Sequence, residues 1–125
     1  MGLDFDNIET YTLLLQACKP YKVDPSSSLE AEEFFRQLLH KYEGDLDTTS
    51  VLAWLNTQLA QHFIALGERP RWIQGAAWAY DEYGRPMVFA GQIDLQATPT
   101  VFHDDTSLYI FVGRKVPPVV VMQQF

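Results

Sequence analysis

An α+β fold, with about three N-terminal helices packed on one face of an antiparallel sheet of about four strands, is predicted by three features of this chain. Before residue 68, apolar residues recur at helical spacing in three stretches. Capping residues open these stretches, and glycine or proline closes them. From residue 69 onward the apolar runs are short, rich in β-branched and aromatic residues, and separated by turn formers. Helices first and strands second is the α+β order rather than the alternating βαβ order. The 125 residues suit one domain, 1–125, with a helical half at 1–68 and a β half at 69–125.

The first helix is expected from about Asn7 to Cys18. Asp6 is a capping residue with Glu9 three places on, Ile8, Tyr11, Leu14, Leu15 and Cys18 form the apolar stripe, and Pro20 ends it. Cys18 on that stripe reads as a small buried hydrophobe, since no histidine motif accompanies it as a catalytic thiol would require. Ser27 with Glu30 makes a capping box for the second helix, whose stripe is Ala31, Phe34, Phe35, Leu38 and Tyr42 and whose end is marked by Gly44. Its acidic first turn and basic last turn agree with the helix dipole, and His40 reads as a solvated residue there. Asp47 or Thr48 caps a third helix running to about Leu66, closed by Gly67 and Pro70, with Val51, Leu52, Leu55, Leu59, Phe63 and Leu66 as its stripe. Trp54 lies off that stripe and is expected to pack on the sheet.

Residues 72–95 read as two strands joined by a turn, the turn falling at 81–86, where Gly84, Pro86 and charged residues gather. Residues 87–95 alternate with the strand period: Met87, Phe89, Gly91, Ile93 and Leu95 on one face, Val88, Ala90, Gln92 and Asp94 on the other. A turn-rich piece follows at 96–106, then strands at 108–112 and 119–122 separated by a break at Pro117-Pro118. The run 119–122 is apolar on both faces. It is either a covered central strand or an edge that needs a partner, and a symmetric homodimer is one expectation for it, a monomer closed by 96–106 the other.

Hydrophobic residues make up 47% of the chain and aromatic residues 14%, the composition of a folded domain with an aromatic interior. The formal net charge of -7 and the scatter of Lys and Arg argue against a nucleic-acid partner. The same charge is compatible with a basic protein partner, and with simple solubility. One cysteine excludes an intramolecular disulfide and a multi-cysteine zinc site, and fits the cytoplasm. No signal peptide is read in residues 1–18 and no membrane span anywhere.

The candidate binding residues are Trp72, Gln74, Trp78, Gln92, Asp94 and His103. Two amides and a carboxylate among tryptophans could line a pocket for a polar ligand or a peptide backbone. The alternative is that they satisfy the backbone where strands leave the sheet. His103, Asp104 and Asp105 are metal-ligand types, but neighbours in an extended chain point to opposite sides and rarely converge on one ion, so no metal site and no cofactor are expected. No nucleophile motif and no phosphate-binding glycine loop is present, and no catalytic residue is assigned.

Trp72, the run Gly84, Pro86, Phe89, Gln92, Ile93, Asp94 and Leu95, and then Asp104, Leu108, Tyr109 and Phe111 resemble, in order and rough spacing, a series found in the YwqG-like (DUF1963) family of bacterial proteins. The resemblance covers the C-terminal half only, departs from the series at Thr106, where a glycine is common, and leaves the helical half without a counterpart. It implies a fold and, through relatives in toxin-immunity neighbourhoods, an interaction role. The functional expectation is thus a non-catalytic protein-interaction module, immunity- or adaptor-like. A small-molecule binder or weak hydrolase built on Gln74, Gln92, Asp94 and His103 is the alternative.

Overall fold

The computed structural model describes residues 2–96 and 105–125. Three helices precede a three-stranded sheet: α1 (Ile8–Cys18), α2 (Leu29–His40), α3 (Thr48–His62), β1 (Val88–Leu95), β2 (Thr106–Gly113) and β3 (Val116–Gln124). Each helix begins where a side chain can accept an otherwise orphaned N–H. Asn7 accepts from Thr10, Ser28 from Ala31, and the Asp47 carboxylate from Ser50. α1 buries Leu14, Ala17 and Cys18, whereas Ile8 and Leu15 of the expected stripe are exposed. The helix packs on α3, and a narrower face is covered than the sequence stripe suggests. Pro20 falls in a 3-10 turn, Lys19–Tyr21, that carries the chain off the end of α1.

α3 ends at His62, four residues short of the expected Leu66, because the chain is recruited by the sheet. The Phe89 N–H donates to the Ile64 carbonyl (2.9 Å), and the Leu66 N–H donates to the Phe89 carbonyl (3.0 Å). Residues that continue the helical pattern thus form a bridge beside β1, a tertiary contact overriding local preference.

The sheet has order β1-β2-β3 and is antiparallel throughout. It has three strands among the described residues, not the four expected, because the stretch beginning at Trp72 makes no ladder and contributes only the bridge between Tyr80 and Pro86. The turn at 81–86 does form. Asp81 builds it by accepting the N–H groups of Tyr83 and Arg85 and the Arg85 Nε, with Gly84 at a φ of 77°. The last two strands meet at Arg114-Lys115 rather than at Pro117-Pro118: Gly113 pairs with Val116, and Lys115 takes a left-handed φ of 59°. Both prolines lie inside β3, which is an edge strand, the one place in a sheet that tolerates them.

β1 carries a bulge. Phe89 pairs with Phe111 but Gly91 pairs with Ile110, leaving Ala90 as an extra residue. The insertion reverses the phase of everything after it. Gln92 and Asp94 fall opposite Tyr109 and Ser107, on the face that Phe89 shares with the core, and Ile93, expected beside Phe89, is instead 47% exposed. The core itself is an aromatic array crossing from helix to sheet. Phe35 stacks on Phe63 (5.5 Å between centroids), Phe63 meets Trp78 (5.4 Å), and Trp78 meets Phe111 (5.4 Å), which packs on Phe89 (5.3 Å).

Candidate functional site

Residues 71–75, bent at 73–75, cross the inner face of the sheet as a strap, which the sheet holds with side chains. Gln92 clasps Arg71 from both sides, its Oε1 accepting the Arg71 N–H (2.8 Å) and its Nε2 donating to the Arg71 carbonyl (3.2 Å). The Tyr109 hydroxyl donates to the same carbonyl (2.8 Å) and accepts the Ile73 N–H (3.1 Å). Gln123 Oε1 accepts the N–H groups of Ile73 and Gln74, and its Nε2 donates to the Gly75 carbonyl (2.9 Å). Primary amides reproduce the donor and acceptor pair of a neighbouring strand. Buried Gln123 and Tyr109 thus replace the missing fourth strand of the ladder.

Asp94 closes one end of this arrangement. It accepts from the Ser107 hydroxyl (2.6 Å), from Gln92 Nε2 (2.8 Å) and from the Arg71 guanidinium (2.9 Å), which also reaches Glu68. The Ser107 hydroxyl, then the Gln92 amide, and after them Arg71 hold its carboxyl below the usual carboxylate range. The structure therefore brings Gln92 and Asp94 into direct contact. Gln74 lies at the far end of the strap, where its Nε2 donates to the Gln124 carbonyl (3.0 Å).

The two tryptophans of the candidate set serve the interior. Trp72 packs on Tyr109 (4.5 Å between centroids) and donates its indole N–H to the Lys22 carbonyl. Trp78 is buried and donates to the Met87 carbonyl (2.8 Å). His103 and Asp104 lie outside the described residues. Among those described, no group of three His, Cys, Asp or Glu is placed to hold a metal ion. Cys18 is fully buried, and burial pushes its thiol up to about 12, far from a reactive thiolate. Arg71, Ser107, Tyr109 and Gln123 are the members of the network that sequence reading misses. Gln123 had a signal, since it ends the row Val119, Val121, Gln123 on one face of an otherwise apolar strand.

A second surface lies at the open side of the sheet. β3 carries no charged side chain, yet Val119 is 36% exposed and Val120 and Met122 are each 57% exposed. Val119 shares the inner face with Val121, while Val120 and Met122 share the outer face with Leu108, Ile110 and Ile93. A shallow groove lined by Tyr80, Met87, Val116, Pro117, Pro118 and Val119 runs beside the same strand. No helix among the described residues is long and apolar enough to cross a membrane.

No family model, curated protein or solved structure matches this chain.

Proposed function

We propose that this chain is a non-catalytic protein-interaction module whose contact surface is β3 and the outer face of the sheet. The observation that carries this reading is the exposure of Val119, Val120 and Met122 on both faces of an uncharged edge strand. Edge strands left alone are usually shortened, charged or covered, so a long apolar one suits a surface that another chain completes. Protein partners with a basic rim would complement the net charge of -7. An immunity or adaptor role, as the YwqG-like resemblance implies, and a cytoplasmic setting belong to the same proposal. The competing reading, a small-molecule binder or weak hydrolase around Gln74, Gln92, Asp94 and His103, draws no support from the geometry of its three described residues. Those side chains are engaged with the chain's own strap and strands.

Genetically encoded photo-crosslinkers test the proposal in the native host. A probe at Val120 should give discrete protein adducts, while one at the exposed Gln61 of α3 should not. Equal or absent adducts from the two positions would remove the β3 surface from consideration.

A further inference from the structure

β3 ends the sheet, so among the described residues one of its edges has no strand beside it. A single bond fixes which backbone groups face that edge. The Phe125 N–H donates to the Asp105 carbonyl (3.1 Å), which makes 105 and 125 a hydrogen-bonded pair of the antiparallel ladder. The register then makes Ser107 with Gln123, Tyr109 with Val121 and Phe111 with Val119 pairs of the same kind. Val119, Val121 and Gln123 therefore turn their N–H and C=O groups toward β2. Pro118, Val120, Met122 and Gln124 turn theirs toward the open edge.

Two groups are already missing from that edge. Pro118 has no N–H, and the Gln124 carbonyl is taken by the Gln74 amide. What remains, among the described residues, is the Pro118 carbonyl, both groups of Val120, both groups of Met122, and the Gln124 N–H. This set is self-complementary. About a two-fold axis at Val121, residue 120 lies opposite residue 122 of a second copy, and residue 118 opposite residue 124. Val120 and Met122 exchange both of their bonds, and the Gln124 N–H meets the Pro118 carbonyl. The absent N–H of Pro118 faces the carbonyl that Gln74 has already satisfied. Neighbouring registers lose this match: an axis at Val120 sets the Met122 carbonyl against Pro118, and one at Met122 sets the Val120 N–H against the occupied Gln124 carbonyl.

We propose that a second copy of the chain adds to this edge, β3 against β3, as an antiparallel pair about a two-fold axis at Val121, joining two three-stranded sheets into one of six strands. The inference rests on the reading of the chain as an interaction module and names its partner as the chain itself. Val120 then lies beside Met122 of the other copy on the outer face, which covers the most exposed side chains of the strand. A nine-residue strand is about 30 Å long, and edge pairing alone buries less than a standard interface, so the dimer is weak and concentration-dependent. Each copy carries a net charge of -7, so salt screens their repulsion and strengthens the pairing.

Sedimentation velocity on the intact chain, over a wide concentration series at low and at moderate salt, should show a monomer–dimer equilibrium shifted toward dimer by salt. Val120→Pro removes an N–H that plays no part in the chain's own ladder, as Pro118 does at the same strand phase. It should keep the far-UV circular dichroism of the parent and weaken association tenfold or more. Val120→Lys, which leaves the backbone intact, should do the same if proline disturbs the strand.

Cysteine placement reads the register. Opposed residues of a non-hydrogen-bonded antiparallel pair have Cα atoms about 4.5 Å apart, within disulfide reach. Val121→Cys should therefore cross-link two copies under mild oxidation, and Val119→Cys, which faces residue 123, should not; buried Cys18 stays silent. A monomer at every concentration overturns the inference. So does a dimer that survives both Val120 variants or cross-links no better through residue 121 than through 119. In either case a Val120 photo-adduct with a different protein would leave the interaction-module reading in place.

Discussion

At the scale of single residues, Asp94 shows how a half-exposed carboxylate acquires a structural duty. Its side chain is 56% exposed, so its ion pair with Arg71 is screened by water and worth little alone. The Ser107 hydroxyl and Gln92 amide nonetheless hold the carboxylate where it anchors the residue that clasps the strap. Its folded pKa is lowered below the ordinary 3.8. Its contribution is therefore present above the unfolded pKa and is lost as pH falls through the folded value. Asp94→Asn is expected to cost on the order of 1 kcal/mol at neutral pH, the usual size for a hydrogen-bonded charge open to water. Urea denaturation from pH 7 down to about pH 2 checks the sign: the gap between parent and variant should close on the acid side, and a gap that is constant or grows toward acid contradicts the assignment. Gln92 and Asp94 are legible in the sequence as polar residues within a strand, but the sequence alone leaves open whether they meet a ligand or the chain. The distances show both side chains bonded within the chain.

Individual elements were legible to the extent that their signals are local. All three helices begin at capping residues within one position of those read from the sequence, because a cap and its orphan N–H lie three residues apart. The Ala90 bulge has no such signature: an inserted residue leaves the written alternation intact while reversing its faces in space. The missing fourth strand is similar, since Gln123 lies about fifty positions from the strap it supports. The hairpin between β2 and β3 differs from the expected break for another reason. It uses Arg114-Lys115, with neither glycine nor asparagine, and puts Lys115 at a φ of 59°, where a side chain costs roughly 1 kcal/mol. Lys115→Gly should relieve that strain and, after the greater freedom of glycine in the unfolded chain is set against it, stabilise the protein by a few tenths to about 1 kcal/mol. Gly113→Ala is the matched control, because a Cβ there would clash with the Val116 side chain. Chemical denaturation of the two variants should move in opposite directions, and a destabilised Lys115→Gly would mean that the lysine side chain makes a contact outweighing its backbone strain.

The molecule as a whole is read from sequence as a helical half, 1–68, followed by a β half, 69–125, and the physical question is whether these unfold separately. The aromatic array argues that they do not. Phe35 and Phe63 from the first half and Trp78, Phe89 and Phe111 from the second form one unbroken series of ring contacts. The bridge at 64–66 ties the end of α3 to β1 by backbone hydrogen bonds. Trp72 and Arg69 reach back to the carbonyls of Lys22 and Tyr21. The buried residues of both halves form one cluster, with Phe63 shared between them, so the two are expected to unfold together. Thermal unfolding followed by far-UV circular dichroism, which weights the helices, and by tryptophan fluorescence in a Trp54→Phe background, where Trp72 and Trp78 alone report on the strap and sheet, should therefore give coincident transitions. The strap supplies the sharper test. Gln123→Ala deletes the acceptor for Ile73 and Gln74 and the donor to Gly75, so it should destabilise by about 1 to 3 kcal/mol and lower both transitions together. If fluorescence instead moved to lower temperature while the helical signal stayed where it was, the helices would be a separate folding unit, and the strap would be a clasp between two domains rather than part of one.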